Sequence, residues 1–134
     1  MTRVRDAEYA ALADFRHALR VFLRFSEDAA RAEGLTPNQH QMLLAVRGFD
    51  GDGDPAIGDL AERLQLAHHS TVELVDRGVA AGYLRRHTDE HDRRRQRIAL
   101  TAAGEEKLAS LSAAHLDELR RFRDEMAEVL RELG

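Results

Sequence analysis

The chain has no cysteine and only two prolines, and aromatic residues make up 5% of it. The absence of cysteine excludes disulfide bonds, zinc–thiolate sites and thiol-based redox sensing. No apolar run approaches the ~18 residues that a membrane-spanning helix needs. The N-terminal stretch MTRVRDAEYAALADF contains acids where a signal peptide has an apolar core. We therefore expect a cytoplasmic protein with no membrane partner.

Motifs that mark common active sites are also missing. The sequence contains no Ser-His-Asp arrangement, no H-E-x-x-H and no glycine pattern that cradles phosphate. Enzymatic activity, a cofactor and a metal site are therefore not expected. The 134 residues, 43% of them hydrophobic and 33% charged, are typical of one small folded domain.

Positive charge is concentrated in one segment, although the net charge of the chain is −4. Residues 85–97 contain six arginines and three acids, whereas residues 101–134 contain eight acids and five bases. The distribution of charge decides nucleic-acid binding more than its sum does. The arginine-rich segment is therefore the candidate for contact with a polyanion.

The hydrophobic pattern predicts a mainly α (α+β) chain with five helices and two short strands. Apolar residues recur every three or four positions in the helical segments, while residues 49–55 have the composition of a loop. Gly34 suits a helix end, and Thr36 and Pro37 suit a helix start. The predicted helices are Arg5–Glu33, Pro37–Gly48, Ile57–Leu64, His68–Ala81 and the segment after Thr101, and the predicted strands are Tyr83–Arg86 and Gln96–Leu100.

The fourth predicted helix and the hairpin after it carry the most specific expectations. The inward face of this helix is expected to consist of Val72, Val75 and Val79, with Leu74 on its flank. The tip between the two strands is entirely polar, so we expect it to project into solvent.

The first and last helices each have an apolar seam. Leu12, Phe15 and Leu19 lie on the first, and residues from Leu108 to Leu133 recur at spacings of three and four on the last. The second seam is longer than the core of so small a domain requires. We expect the terminal helices of two chains to interleave in a dimer, with an intramolecular bundle as the alternative.

Four segments resemble the MarR family of bacterial transcriptional regulators: LTPNQHQMLLAV (35–46), IGDLAERLQL (57–66), LVDRGVAAGYLRR (74–86) and DRRRQRIALTAAG (92–104). The most specific part is the spacing from D-x-R to L-T-x-x-G in the last segment. The resemblance covers essentially the whole chain. It implies a single domain over residues 1–134, with a winged helix-turn-helix lobe at 35–100 and dimerisation helices at 1–34 and 101–134.

The function that the resemblance implies is DNA-binding transcriptional regulation by a homodimer. We expect a repressor that binds a pseudo-palindromic operator in double-stranded DNA and is released by a small effector. The fourth helix would enter the major groove, and the wing, which is the hairpin with its tip, would reach the minor groove. Arg94 occupies the position of the wing arginine, and Asp92 that of the acid that braces it. The expected DNA contacts are His68, His69, Ser70, Thr71, Glu73, Arg77, Arg86, Arg93, Arg94 and Arg95.

Three positions leave alternatives open or depart from the family. Arg77 either contacts DNA or forms an ion pair with Glu73, four residues back on the same helix. Ala67 replaces a capping Ser or Thr, whose loss costs ~1 kcal/mol. Gly78 replaces a large apolar residue, costs roughly 1 kcal/mol relative to alanine, and implies either a gap or a close contact.

Relatives in this family often respond to small aromatic or anionic molecules. His115 interrupts the apolar seam of the last helix and is either a buried hydrogen-bonded residue, a polar anchor in such an effector pocket or a metal ligand. Two rival functions remain: a winged-helix protein-interaction module that never binds DNA, and a metal-responsive repressor. In the second rival, His87 and His91 would join the wing acids only if the tip folds back. The expected effector pocket comprises Phe15, Leu19, His40, Leu43 and His115.

Overall fold

A computed structural model describes residues 3–134 and confirms a mainly helical chain with one two-stranded sheet. The first strand differs from the prediction, because it begins at Leu84 and continues beyond Arg86 to Thr88. No helix in the described part of the chain is long and apolar enough to cross a membrane. The elements are α1 (Asp6–Ala32), α2 (Pro37–Arg47), α3 (Ile57–Leu64), α4 (His68–Ala80), β1 (Leu84–Thr88), β2 (Gln96–Leu100) and α5 (Ala102–Leu133).

The described residues divide into two compact units. The lobe runs from Ala30 to Leu111 and contains α2, α3, α4 and the β1–β2 hairpin. The helical unit consists of α1 up to Ala29 and α5 from Ser112.

The predicted helix boundaries of the lobe follow from local chemistry. Gly34 has a φ of +80°, a left-handed conformation that closes the end of α1. Thr36 accepts the backbone N–H of Gln39 at 3.1 Å, and the Gln39 side chain accepts the N–H of Thr36 at 2.8 Å. This reciprocal capping box, with Pro37 at the first helical position, fixes the start of α2.

The core of the lobe forms where α2, α3 and α4 pack against the hairpin. One expectation for α4 is wrong: Leu74 is buried, whereas Val72 and Val79 are only half-buried. The buried face of α4 therefore lies closer to Leu74 than the three valines predicted. The reason is that the missing side chain of Gly78 lets Leu84 of β1 pack on that side. The largest fully buried side chains are Met42, Leu43, Leu60, Val75, Leu84 and Ile98.

Gly78 makes a close contact and leaves no gap. A Cβ atom built at Gly78 would lie 2.5 Å from Cδ1 and 2.9 Å from Cγ of Leu84. Leu84 pairs with Leu100 across the antiparallel hairpin, so its position also sets the register of the two strands. The missing side chain at Gly78 therefore lets the hairpin approach α4.

The L-T-x-x-G segment joins the hairpin to α5. The Thr101 hydroxyl accepts the N–H of Gly104 at 3.0 Å, which confirms Thr101 as the cap of this helix, and it donates to the Gly82 carbonyl at 2.6 Å. A Cβ atom at Gly104 would lie 2.2 Å from the Tyr83 carbonyl oxygen. The beginning of α5 therefore lies against the turn between α4 and β1.

In the helical unit, α1 and α5 pack through aromatic and polar contacts. The rings of Phe22 and Phe122 lie 5.6 Å apart, and Phe25 meets the His115 ring edge-on at 5.4 Å. His115 Nε2 lies 2.9 Å from the hydroxyl of the buried Ser26. His115 is thus half-buried and hydrogen-bonded within this unit.

The contact at Gly104 predicts the effect of adding one methyl group there. We expect Gly104→Ala to lower the free energy of unfolding by about 1–3 kcal/mol, because the Tyr83 backbone has to move. Gly58→Ala is the matched control: Gly58 lies in α3 with nothing near its missing Cβ. It should raise stability by up to ~1 kcal/mol. Urea unfolding of both variants measures the difference, and equal effects would contradict the role of Gly104.

Candidate nucleic-acid interface

The exposed face of α4 carries a row of polar side chains. His69, Glu73 and Arg77 are all exposed and lie four residues apart, so they occupy successive turns. No ion pair joins Glu73 to Arg77 among residues 3–134, so the ion-pair alternative for Arg77 is not realised there. Ser70 is half-buried beside this row, and His68 is exposed at the first helical position.

Thr71 does not belong to this face, so its expected contact with bases is wrong. Its side chain is fully buried, and its hydroxyl donates to the Ala67 carbonyl at 3.0 Å. Thr71 precedes Leu74 by three residues and Val75 by four, which places it on the buried side of α4. Ala67 itself provides no side-chain cap.

Arg86 fastens β1 to α4. Its guanidinium forms an ion pair with the carboxylate of Asp76, in the third turn of α4, and the Arg86 side chain is largely covered. The carboxylate of Asp76 engages one terminal amino group of Arg86. The structure thus gives this predicted DNA contact a positioning role inside the lobe.

The wing arginine and its predicted partner lie together. Asp92 Oδ1 is 3.3 Å from Arg94 Nε and accepts the Arg94 backbone N–H at 3.0 Å. The Arg94 side chain remains 93% exposed, and Arg93 is exposed as well. One carboxylate oxygen therefore orients Arg94 without covering its terminal amino groups.

Arg95 points back toward α3. Its guanidinium lies 3.3 Å from Asp59 Oδ2, which also accepts the Ala56 N–H at 2.9 Å. The first residues of α3, together with His68, Arg94 and Arg95, line a cavity of about 520 Å³. Asp59 also lines this cavity and pairs with Arg95, so the charge that it leaves for an anion such as a phosphate group comes from Arg94 and from the positive ends of α3 and α4.

Asp89, which was expected to lie in the solvent-exposed tip, organises the base of the wing. Asp89 is buried and accepts the N–H groups of His91 at 2.7 Å and Asp92 at 3.0 Å, as well as Arg97 Nε at 2.6 Å. These bonds lower the pKa of Asp89 from its usual 3.8 to about 2; the His91 N–H is the largest cause, followed by Arg97. The prediction that the whole tip projects into solvent is therefore wrong. The local signal was the aspartate itself. An Asp side chain often accepts the backbone N–H two residues further on, as Asp89 does from His91, and so forms an Asx turn.

The loop at 49–55 is hydrogen-bonded to the base of the wing. Arg97 donates to the carbonyl of Asp52 at 3.1 Å and to that of Asp54, and His87 Nε2 lies 2.8 Å from Asp54 Oδ2. The N–H of Ile98 donates to the Pro55 carbonyl at 2.8 Å. Asp89 is buried at the base of the tip but His91 stays exposed, and no group of three or more metal-ligating side chains converges anywhere in residues 3–134.

The residues expected to line an effector pocket divide between the two units. His40 and Leu43 are buried in α2 of the lobe. Phe15 and Leu19 lie on α1 and His115 on α5, within the helical unit. His115 contacts Phe25 and Ser26 there, as described above.

Comparison with known proteins gives the family. The sequence model of the MarR family matches residues 33–95. An uncharacterised HTH-type transcriptional regulator of Bacillus subtilis (strain 168), YcgE, is 31% identical over 110 residues, which span 79% of this chain and 70% of YcgE. The chain belongs to the MarR family.

Solved structures of the MarR family share the fold. AbsC, a MarR family transcriptional regulator from Streptomyces coelicolor, is 25% identical with a TM-score of 0.77, covering 99% of this chain and 90% of AbsC. MepR of S. aureus, solved as a complex with DNA, is 19% identical with a TM-score of 0.73, covering 89% and 86%. The chain is thus a winged helix-turn-helix transcriptional regulator and not an enzyme.

The hydrogen bonds of Asp89 predict how the stability of the lobe depends on pH. Because folding lowers the pKa of Asp89 from 3.8 to about 2, its contribution is complete above pH 4 and is lost as the pH falls toward 2. Asp89→Asn should therefore be less stable than the wild type at pH 7, with a difference that shrinks between pH 4 and pH 2.

Urea unfolding at several pH values measures this difference. Glu90→Gln, at the exposed neighbouring position, is the control and should track the wild type throughout. A difference for Asp89→Asn that stayed constant with pH would contradict the role assigned to its carboxylate.

Proposed function

We propose that this cytoplasmic MarR-family regulator binds double-stranded DNA as a homodimer and represses transcription from a pseudo-palindromic operator. The observation that carries the proposal is the exposed row of His69, Glu73 and Arg77 on α4, in the same lobe as a wing arginine oriented by Asp92. A helix of this kind reads base edges in the major groove, while a wing arginine suits the negative potential of a narrow minor groove.

The charge of the lobe supports contact with the DNA backbone. Arg93 and Arg94 are exposed on the wing, and the cavity beside α3 adds His68 and Arg95. Contacts to phosphate release counterions, so DNA affinity should fall as the salt concentration rises. A plot of log affinity against log salt concentration should have a slope near −0.9 for each phosphate neutralised. We assign base contacts to His69, Ser70, Glu73 and Arg77, and backbone or minor-groove contacts to His68, Arg93, Arg94 and Arg95.

Exposed apolar side chains on the terminal helices support the dimer. Leu12 is 57% exposed, Leu116 50% and Leu130 62%, and Tyr9 is also exposed. Isolated apolar residues on a surface need no explanation, but several along two helices favour a protein partner. We therefore propose that residues 1–34 and 101–134 hold two lobes, each spanning residues 35–100, so that their α4 helices meet half-sites about one helical turn (~34 Å) apart.

A small aromatic or anionic effector is the proposed release signal. The support is the family resemblance together with His115, a polar ring that lies edge-on to Phe25. Phe15, Leu19, His40 and Leu43 remain the proposed lining. The metal-responsive alternative has no supporting ligand cluster in residues 3–134.

The proposal predicts the effect of removing the wing arginine. We expect Arg94→Ala to weaken binding to the preferred operator by about 1–3 kcal/mol and to reduce the salt slope by up to about 1. Arg24→Ala removes an exposed arginine of the helical unit and should change neither quantity. Fluorescence anisotropy over a range of salt concentrations measures both. Equal affinity and slope for Arg94→Ala and the wild type would contradict the wing assignment.

The dimer predicts a second effect. We expect a dimer at micromolar concentration, and Leu130→Asp should shift the mass toward the monomer because the new charge cannot be buried at the interface. DNA affinity should fall in parallel, since each monomer has one lobe. Sedimentation equilibrium gives the mass, with Arg123→Asp, an exposed polar position on the same helix, as the control. A monomeric wild type would overturn the dimer.

A further inference from the structure

Two carboxylates lie on the exposed side of α4, and only one of them is neutralised. Asp76 forms an ion pair with Arg86 of β1. Glu73, one turn earlier, is exposed and forms no ion pair with any residue between 3 and 134. Arg77, four residues further on, leaves it unpaired although the spacing permits a pair. The lobe thus presents one bare negative charge in the middle of the row His69, Glu73 and Arg77.

A bare carboxylate is costly on a surface that approaches DNA. It is repelled by the phosphates and by the acceptor atoms that most bases show in the major groove, namely guanine N7 and O6, adenine N7 and thymine O4. Its only favourable partners there are the amino groups of cytosine and adenine. Adenine carries the N7 acceptor on the same base as its amino group, whereas cytosine shows only its N4 amino group and the neighbouring acceptor, O6, belongs to the paired guanine.

We propose that Glu73 is a specificity-determining residue that selects one cytosine in each half-site by accepting a hydrogen bond from its N4 amino group. This inference rests on the proposed function and deepens it, because it names a base at one operator position. The same charge rejects guanine and thymine at that position, so the residue acts by repulsion as much as by attraction.

Asp76 provides a matched comparison within the same helix. Its charge is held by Arg86, so its removal should loosen the hairpin and weaken binding to every sequence to a similar degree. Removal of the Glu73 charge should instead change the preference at a single base pair. A uniform loss of DNA affinity therefore marks Asp76, and a change of base preference at one position marks Glu73.

The test selects bound fragments from random duplex DNA. The proteins compared are the wild type, Glu73→Gln, Glu73→Ala and Asp76→Asn. The affinity of each protein is then measured with each of the four base pairs at every selected position. The wild type should select one C·G pair that Glu73→Ala no longer selects, with discrimination there reduced by about 5- to 100-fold. Glu73→Gln should move the preference toward adenine, which an amide contacts through N6 and N7. Asp76→Asn should keep the wild-type preference.

Two outcomes would contradict different parts of the reasoning. If both Glu73 variants keep the full wild-type preference and bind all duplexes more tightly, Glu73 only repels phosphate and the inference is overturned. If the wild type selects no sequence at all, the proposed sequence-specific function fails, and the inference fails with it. Since Glu73 is exposed, unfolding curves of its variants should match that of the wild type.

Discussion

The approach of β1 to α4 depends on the missing side chain at Gly78. Leu84 occupies the space where a Cβ atom would lie, and its partner across the hairpin is Leu100. This contact brings Arg86 within reach of Asp76. The loss of helix propensity at Gly78 is therefore offset by the packing that positions the wing.

Half of the six arginines in the basic segment bind groups inside the lobe. Arg86 binds Asp76, Arg95 binds Asp59, and Arg97 binds Asp89 and two loop carbonyls. Arg85, Arg93 and Arg94 lie on the surface. An arginine count therefore overstates the charge available to DNA, while the bound arginines hold the remaining ones in a defined place. The negative net charge is compatible with this arrangement, because only the local field near the wing matters for contact.

Much of the fold follows from local patterns in the sequence. The helices, their caps at Thr36 and Thr101 and the hairpin were predictable because each depends on neighbouring residues and on a regular apolar period. The contact between Asp92 and Arg94 was expected from the family resemblance, and only one residue separates the two. Two differences share a cause: the burial of Leu74 and the pairing of Arg86 with Asp76 depend on how the hairpin packs on α4. Spacing along the chain carries no signal for that packing.

The hydrogen bonds between Arg97 and the loop at 49–55 limit which segments can be exchanged between related proteins. Surface loops ordinarily accept insertions and deletions with little effect. This loop, however, supplies carbonyl acceptors to the wing through Asp52 and Asp54 and a carboxylate to His87. The loop and the wing therefore have to be exchanged together. A chimera that took its wing from a relative would also need that relative's loop, with its matching length.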